Sequence, residues 1–126
     1  MPMQPGMPTP TAGGNNLVPN VPVNGMFSPG LPISPQGRPY IDYTMSIAAP
    51  GHYTIRLTST NTSVYDPYVY LLQNGMVIGS NDDANGSLNS MLSHYFTAPG
   101  VYVVRVSSYN PQISHPTMFN LVVTSG

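Results

Sequence analysis

The run Ser80-Asn81-Asp82-Asp83-Ala84-Asn85-Gly86 is a dense group of hard-oxygen side chains, with a glycine at its end that permits a sharp turn. Ca2+ takes about six to eight oxygen ligands, so the run reads as a truncated calcium loop. It lacks the spaced third acid and the bidentate Glu that complete an EF-hand. Asp82 and Asp83 also suit an ordinary turn, and Asp66 before Pro67 suits an Asx turn in which the side chain bonds the backbone two residues on. Both readings stand.

Covalent modification is a second chemistry that these residue types allow. Asn61-Thr62-Ser63 and Asn85-Gly86-Ser87 are sequons in predicted loops, so Asn61 and Asn85 are glycan candidates. Thr9, Thr11, Ser28 and Ser34 have proline neighbours and resemble O-glycosylated stalks. Chance sequons are also common in a chain this rich in Asn, Ser and Thr. His52, His94 and His115 would supply one member of a hydrolytic triad, but no nucleophile elbow, zinc-binding helix or paired-Glu arrangement accompanies them. The chain is therefore expected not to be an enzyme. Tyr65, Tyr68, Tyr70 and Tyr109 offer flat rings that either line a sheet or stack on a sugar or a partner protein.

Composition narrows the field. Only 6% of the 126 residues are charged, with neither Lys nor Glu, and the formal net charge is −1. Asp42, Asp66, Asp82 and Asp83 face Arg38, Arg56 and Arg105, a balance with no basic cluster for nucleic acid or an anionic membrane. Cysteine is absent, which excludes disulfides and zinc–thiolate sites, and without lysine no Lys–Asn cross-link can form. No apolar run approaches the roughly 20 residues of a membrane span, and Met1-Pro2-Met3-Gln4-Pro5 lacks the pattern of a signal peptide. A surface poor in charge and rich in Ser, Thr, Asn, Gly and Tyr suits a protein that is glycosylated or that hides much of its surface in an assembly.

Ten of the 15 prolines lie within residues 1–39, whereas all nine tyrosines lie from Tyr40 onward, so a boundary is expected near Arg38. Residues 1–38 read as an extended Pro/Gly-rich arm, with Pro2, Pro5 and Pro8 at polyproline II spacing. Pro19 and Pro22 have opposite parity and remove donors from both edges of a strand, so edge pairing over a few residues is the most this arm can do. Residues 39–126 alternate with period two between turn signals, which predicts an all-β, antiparallel Greek-key or jelly-roll-like sandwich of seven to eight strands.

The strands are expected at 40–47, 52–58, 68–73, 76–79, 90–97, 101–107 and 117–124. Asn74-Gly75 predicts a type I′ hairpin, because both central residues need positive φ. Leu92 and Phe96 are expected inward, in competition with Met91 and Tyr95. Ala49-Pro50-Gly51-His52-Tyr53-Thr54-Ile55-Arg56 recurs as Ala98-Pro99-Gly100-Val101-Tyr102-Val103-Val104-Arg105, each copy reading as a type II Pro-Gly turn and then a strand. Related places in two sheets are expected for them.

The segment from Gly51 to Val123 resembles the bacterial pre-peptidase C-terminal (PPC) domain family. The likeness rests on Gly51-His52-Tyr53-Thr54-Ile55, Asp66-Pro67-Tyr68-Val69-Tyr70-Leu71, Asn74-Gly75, Asn81-Asp82-Asp83, Ala98-Pro99-Gly100-Val101-Tyr102-Val103-Val104-Arg105-Val106 and Phe119-Asn120-Leu121-Val122-Val123. The resemblance implies a secreted β-sandwich, usually an accessory module of an exoenzyme, similar in fold to collagen-binding domains. It also implies that Asp66 joins Asn81, Asp82 and Asp83 around calcium. Here a proline-rich arm stands where the family's enzyme usually does.

The arm carries Leu17, Val18, Val21, Val23, Met26, Phe27, Leu31 and Ile33, apolar side chains that favour burial. An extended arm spans on the order of 100 Å, enough to reach a neighbour. A head-to-tail contact of that kind propagates as a filament unless it closes. The expected function is thus a non-enzymatic extracellular subunit of a filament or surface layer, with other copies of itself as partners. The alternative is an accessory module binding a glycan or an extracellular protein with calcium.

Overall fold

The computed structural model describes residues 15–60, 66–81, 89–109, 113 and 115–125. Nine strands run through the described residues: β1 (Asn16–Leu17), β2 (Val23–Phe27), β3 (Tyr40–Ile47), β4 (Gly51–Ser59), β5 (Pro67–Gln73), β6 (Met76–Asn81), β7 (Ser90–Phe96), β8 (Gly100–Ser108) and β9 (Thr117–Ser125). A first sheet has the order β1-β3-β8-β5-β6 and a second the order β2-β9-β4-β7. All pairings are antiparallel except that of β1 with β3. None of the described residues forms a helix long and apolar enough to cross a membrane.

The alternation does what its period dictates. Tyr43, Met45 and Ile47 of β3, Ile55 and Leu57 of β4, Tyr102, Val104 and Val106 of β8, and Phe119, Leu121 and Val123 of β9 meet between the sheets. Phe96 is buried and Leu92 packs against this core, while Tyr95 is exposed. Asn74 at φ 53° and Gly75 at φ 79° form the expected hairpin tip between β5 and β6. The two copies of the internal echo lie in opposite sheets, as β4 between β9 and β7 and as β8 between β3 and β5.

Three expectations are corrected. The first concerns the arm, whose described part does not stand apart from residues 39–126. β1 adds to the first sheet and β2 to the second, which raises the strand number to nine. Leu17 and Phe27, 2% and 0% exposed, lie in the chain's own core, and Val23 and Leu31 pack against it. Burial on the parent fold needs no partner concentration, so these four side chains are not left for a neighbour. Val18, Val21, Met26 and Ile33 remain exposed.

The second correction concerns the Pro-Gly turns. Neither Gly51 nor Gly100 has positive φ, and each opens a strand. The type II pattern occurs instead at Val18-Pro19-Asn20-Val21, where Asn20 has φ 69° and Val21 N–H donates to Val18 C=O at 3.1 Å. This turn carries the chain from the first sheet to the second. It is clamped to β9 by Asn20 N–H on Val123 C=O at 2.6 Å and by Ser125 N–H on Asn20 Oδ1 at 3.2 Å.

The third correction concerns Ser34, which is buried and whose Oγ accepts the Gln36 N–H at 3.2 Å. A glycan cannot be accommodated on that hydroxyl without opening the 34–38 turn. Ser28 is half-buried, and Thr9, Thr11, Asn61 and Asn85 lie outside the described residues.

Candidate binding face

The outward side chains of β3, β8 and β5 form a surface on the first sheet. Register places Ser107 between Tyr40 and Tyr68, and Arg105 between Asp42 and Tyr70. Because cross-strand partners point to the same face, these rows bring together residues far apart in the chain. The 34–38 turn adds Gln36 and Arg38 from above. It is closed by Ser34 N–H on Arg38 C=O and Gly37 N–H on Ser34 C=O, each at 2.8 Å, with Gly37 at φ 83°.

Arg105 is the hub of one half of this face. Its Nε donates to Asp42 Oδ1 at 2.7 Å, its Nη2 to Asp42 Oδ2 at 2.9 Å and its Nη1 to Gln36 Oε1 at 3.1 Å. Its guanidinium carbon lies 4.6 Å from the Tyr40 ring centroid. The Arg105 and Asp42 side chains are only 12% and 22% exposed. The hydrogen bond to Asp42 raises the Arg105 pKa more than burial lowers it. The pair is therefore a fixed structural element, the only ion pair among the described residues.

Arg38 and three tyrosines make the other half. Tyr68 stacks on Tyr70 with centroids 4.7 Å apart and planes at 14°, and lies parallel to Tyr109 with centroids 6.4 Å apart and planes at 5°. The Arg38 guanidinium carbon sits 5.3 Å from the Tyr68 centroid and 5.0 Å from that of Tyr109. Arg38 Nη1 donates to the carbonyls of Ser108 and Tyr109. Tyr109 is tied in place by its N–H on Asp66 C=O at 2.8 Å, yet its residue is 50% exposed. Tyr70 lies beneath, and burial pushes its hydroxyl pKa up, with the Tyr68 charge adding and Arg38 opposing. A rigid aromatic–guanidinium stack with one face in water can take a flat or apolar group from a partner at little entropic cost.

Of the tyrosines singled out by sequence, the structure brings Tyr68, Tyr70 and Tyr109 together, and Tyr65 lies outside the described residues. Sequence reasoning missed Arg38, Tyr40, Asp42 and Arg105. Strand parity did carry a signal for Tyr40, Asp42 and Arg105, which lie off the core-facing positions, but their register was not legible, and Arg38 lies in the turn before β3.

Asp66 precedes β5 and Asn81 ends β6, so the two reach the same end of neighbouring strands, while Asp82 and Asp83 lie outside the described residues. The Asn81 side chain donates to Met91 C=O at 2.7 Å, tying β6 to β7. The histidines are separate: His52 faces out from the second sheet, His94 packs edge-on to Phe96 at 4.7 Å, and His115 lies in the segment before β9.

The second sheet's outer face differs. Asn120 Nδ2 donates to Asn24 Oδ1 at 2.9 Å, Thr54 and Ser93 share a hydrogen bond of 3.2 Å, and Met26 lies opposite Met118. It is mixed, with the exposed Met26, Tyr95 and Met118 beside these polar pairs.

No protein-family model and no curated protein matches the chain. Its fold is that of a PPC-like β-sandwich. The pre-peptidase C-terminal domain of collagenase from Bacillus anthracis superposes with a TM-score of 0.59 at 17% identity, covering 86% of this chain and 92% of that one. The Aeromonas hydrophila protein PliG, a periplasmic lysozyme inhibitor of g-type lysozyme, superposes with a TM-score of 0.55 at 15% identity, covering 86% and 96%.

Proposed function

We propose that the chain is a non-catalytic binding module, working outside the cell or in the periplasm, whose partner is a protein seated on the Tyr68–Tyr109–Arg38 stack. The observation that carries this reading is a stack held rigid from below and half in water. Tyr and Arg are the residue types that dominate binding hot spots. The structural relatives support it: one is a domain of a collagenase, and the other inhibits a lysozyme and is periplasmic. Titration calorimetry with a triple-helical collagen peptide, a g-type lysozyme and a panel of soluble glycans tests it. Saturable binding of a protein, weakened roughly tenfold or more by Tyr109→Ala at unchanged melting temperature, is expected. Binding of glycans alone, or binding indifferent to Tyr109→Ala, overturns it.

Self-assembly is the second reading, and the exposed Val18, Val21, Met26 and Ile33 favour it. Filaments in electron micrographs of the full chain, lost in a Val18→Ser/Val21→Ser variant, would support it over the first. Calcium at Asp66, Asn81, Asp82 and Asp83 would accompany the binding-module reading. A melting temperature that rises with added Ca2+ and falls with chelator is the expected result.

A further inference from the structure

One end of the sandwich, away from the aromatic stack, carries no charged side chain. Register sets Ile47 beside Gly100 and Gly51 beside Phe96, so residues 48–50 and 97–99 close the same end, together with the Asn74-Gly75 tip and Val18-Pro19. Val18, Met76, Tyr95 and Val101 are each at least half exposed around this end, and residues 48–50 and 97–99 are exposed between them. None of these residues is Asp, Glu, Lys or Arg. Asp42, Arg56 and Arg105 each sit five residues down their strands from Ile47, Gly51 and Gly100, which at the rise of a strand is about 16 Å. Arg38 and Asp66 lie at the far end, before β3 and β5. The connections from β4 to β5, β6 to β7 and β8 to β9 also join strand ends at the far end. Asn15 enters β1 from that direction, with its side chain on Asp42 C=O at 3.3 Å, so the course of the chain leads away from these tips.

An exposed apolar patch of this kind marks a contact with a protein or a lipid surface. Two lengths decide between them. Strand and sheet spacings of about 4.8 Å and 10 Å give this end of five and four strands, with its side chains, roughly 400–500 Å². A stable protein interface takes about 800 Å² from each partner, so neither a second copy nor another protein finds enough area here. A lipid interface sets no such threshold, and groups that lie in it reach about 5–10 Å into the boundary of headgroups and chains. The charge-free depth of about 16 Å exceeds that reach, so insertion takes no Asp or Arg out of water. Separate turns stiffened by Pro19, Pro50 and Pro99 suit a fluid surface that closes around each of them. Tyr95, opposite His52 at the rim, adds an apolar ring while its hydroxyl stays wet.

We propose that this end docks the chain on a lipid bilayer of no net charge, with residues 48–50 and 97–99, Val18, Met76 and Val101 in the interface. The chain has no basic cluster, so anionic lipid adds no attraction. Tyr68 pairs with Ser107, close to the far end of β8, so the aromatic stack stays in water and open to a partner.

The test is nuclear magnetic resonance of the full chain with phosphatidylcholine vesicles that carry a trace of nitroxide-labelled lipid. Saturable broadening of the Ala49, Met76, Ala98 and Val101 amides is expected, with those of Arg105 and Asn120 spared. Val18→Asp/Met76→Asp should weaken binding roughly tenfold or more at an unchanged melting temperature, and Met76→Asp alone should show part of that loss. Met118→Asp, at the far end, and Tyr109→Ala, in the stack, should leave vesicle binding unchanged. Broadening that does not saturate or that covers both ends overturns the proposal, as does binding that appears only with phosphatidylglycerol and disappears in salt. A lipid-free dimer that protects the same four amides overturns it too, because a second copy would then be the occupant.

Discussion

Strands β4 and β8 grow from closely similar residues, yet they end in different surroundings. In both, the ring of the tyrosine two residues on lies 3.7 Å from where a Cβ on the leading glycine would stand. Both tyrosines, Tyr53 and Tyr102, meet Phe96 edge-on, with centroids 5.4 Å and 4.6 Å away, so the two copies share one aromatic joint. Tyr102 alone anchors its turn, donating its hydroxyl to Ala98 C=O at 3.0 Å. The arginines diverge further. Arg56 is exposed and donates to Thr124 Oγ1 at 3.0 Å, whereas Arg105 grips Asp42 with two bonds and lies under the Tyr40 ring. Local sequence thus makes the same strand twice, and cross-strand neighbours decide what its outward side chain does.

Removing the shared joint is the strongest way to break this symmetry. Phe96→Ala should cost about 3–5 kcal/mol in urea unfolding, because a fully buried ring leaves a cavity between both copies. Next come the arginines. Arg105→Ala should cost about 2 kcal/mol, between the values for exposed and fully buried pairs, because it strands the Asp42 carboxylate. Arg56→Ala should stay within about 0.5 kcal/mol. Equal losses in the two variants, measured under the same conditions, would erase the contrast.

The hydroxyls separate the copies more finely. Tyr102→Phe should cost about 1 kcal/mol through the lost bond to Ala98, and Tyr53→Phe should be close to neutral in the same denaturation assay. The smallest effect is alkaline. Burial raises the pKa of Tyr43 and, together with the Tyr68 charge, that of Tyr70 above the usual phenol value of about 10. The unfolded chain ionises first, so their contribution is complete below about pH 10 and is lost as pH rises through the folded-state values. Unfolding midpoints measured from pH 9 upward should fall, and Tyr70→Phe should flatten the slope.

Alternation and turn chemistry lie within a few neighbouring residues, and for that reason the seven strands from Tyr40 onward and the Asn74-Gly75 hairpin were legible without coordinates. β5 shows where that ends: Tyr70 and Leu72 break the alternation by being buried on the outward side, Tyr70 against the stacked Tyr68 ring. The arm shows the same limit, since proline content foretold short edge pairing but not that Leu17 and Phe27 would complete their own core.

By itself, then, the order of residues determined which segments from Tyr40 onward are strands, which core-facing positions turn inward and which tip turns back, because those choices rest on local sterics and hydrophobic period. Only the tertiary structure decided that Asp42 would meet Arg105, that Arg38 would lie against Tyr68 and Tyr109, and that β1 would pair parallel to β3. Register between strands 60 or more residues apart depends on how the whole core closes, and a one-residue slip would turn each of these side chains to the other face.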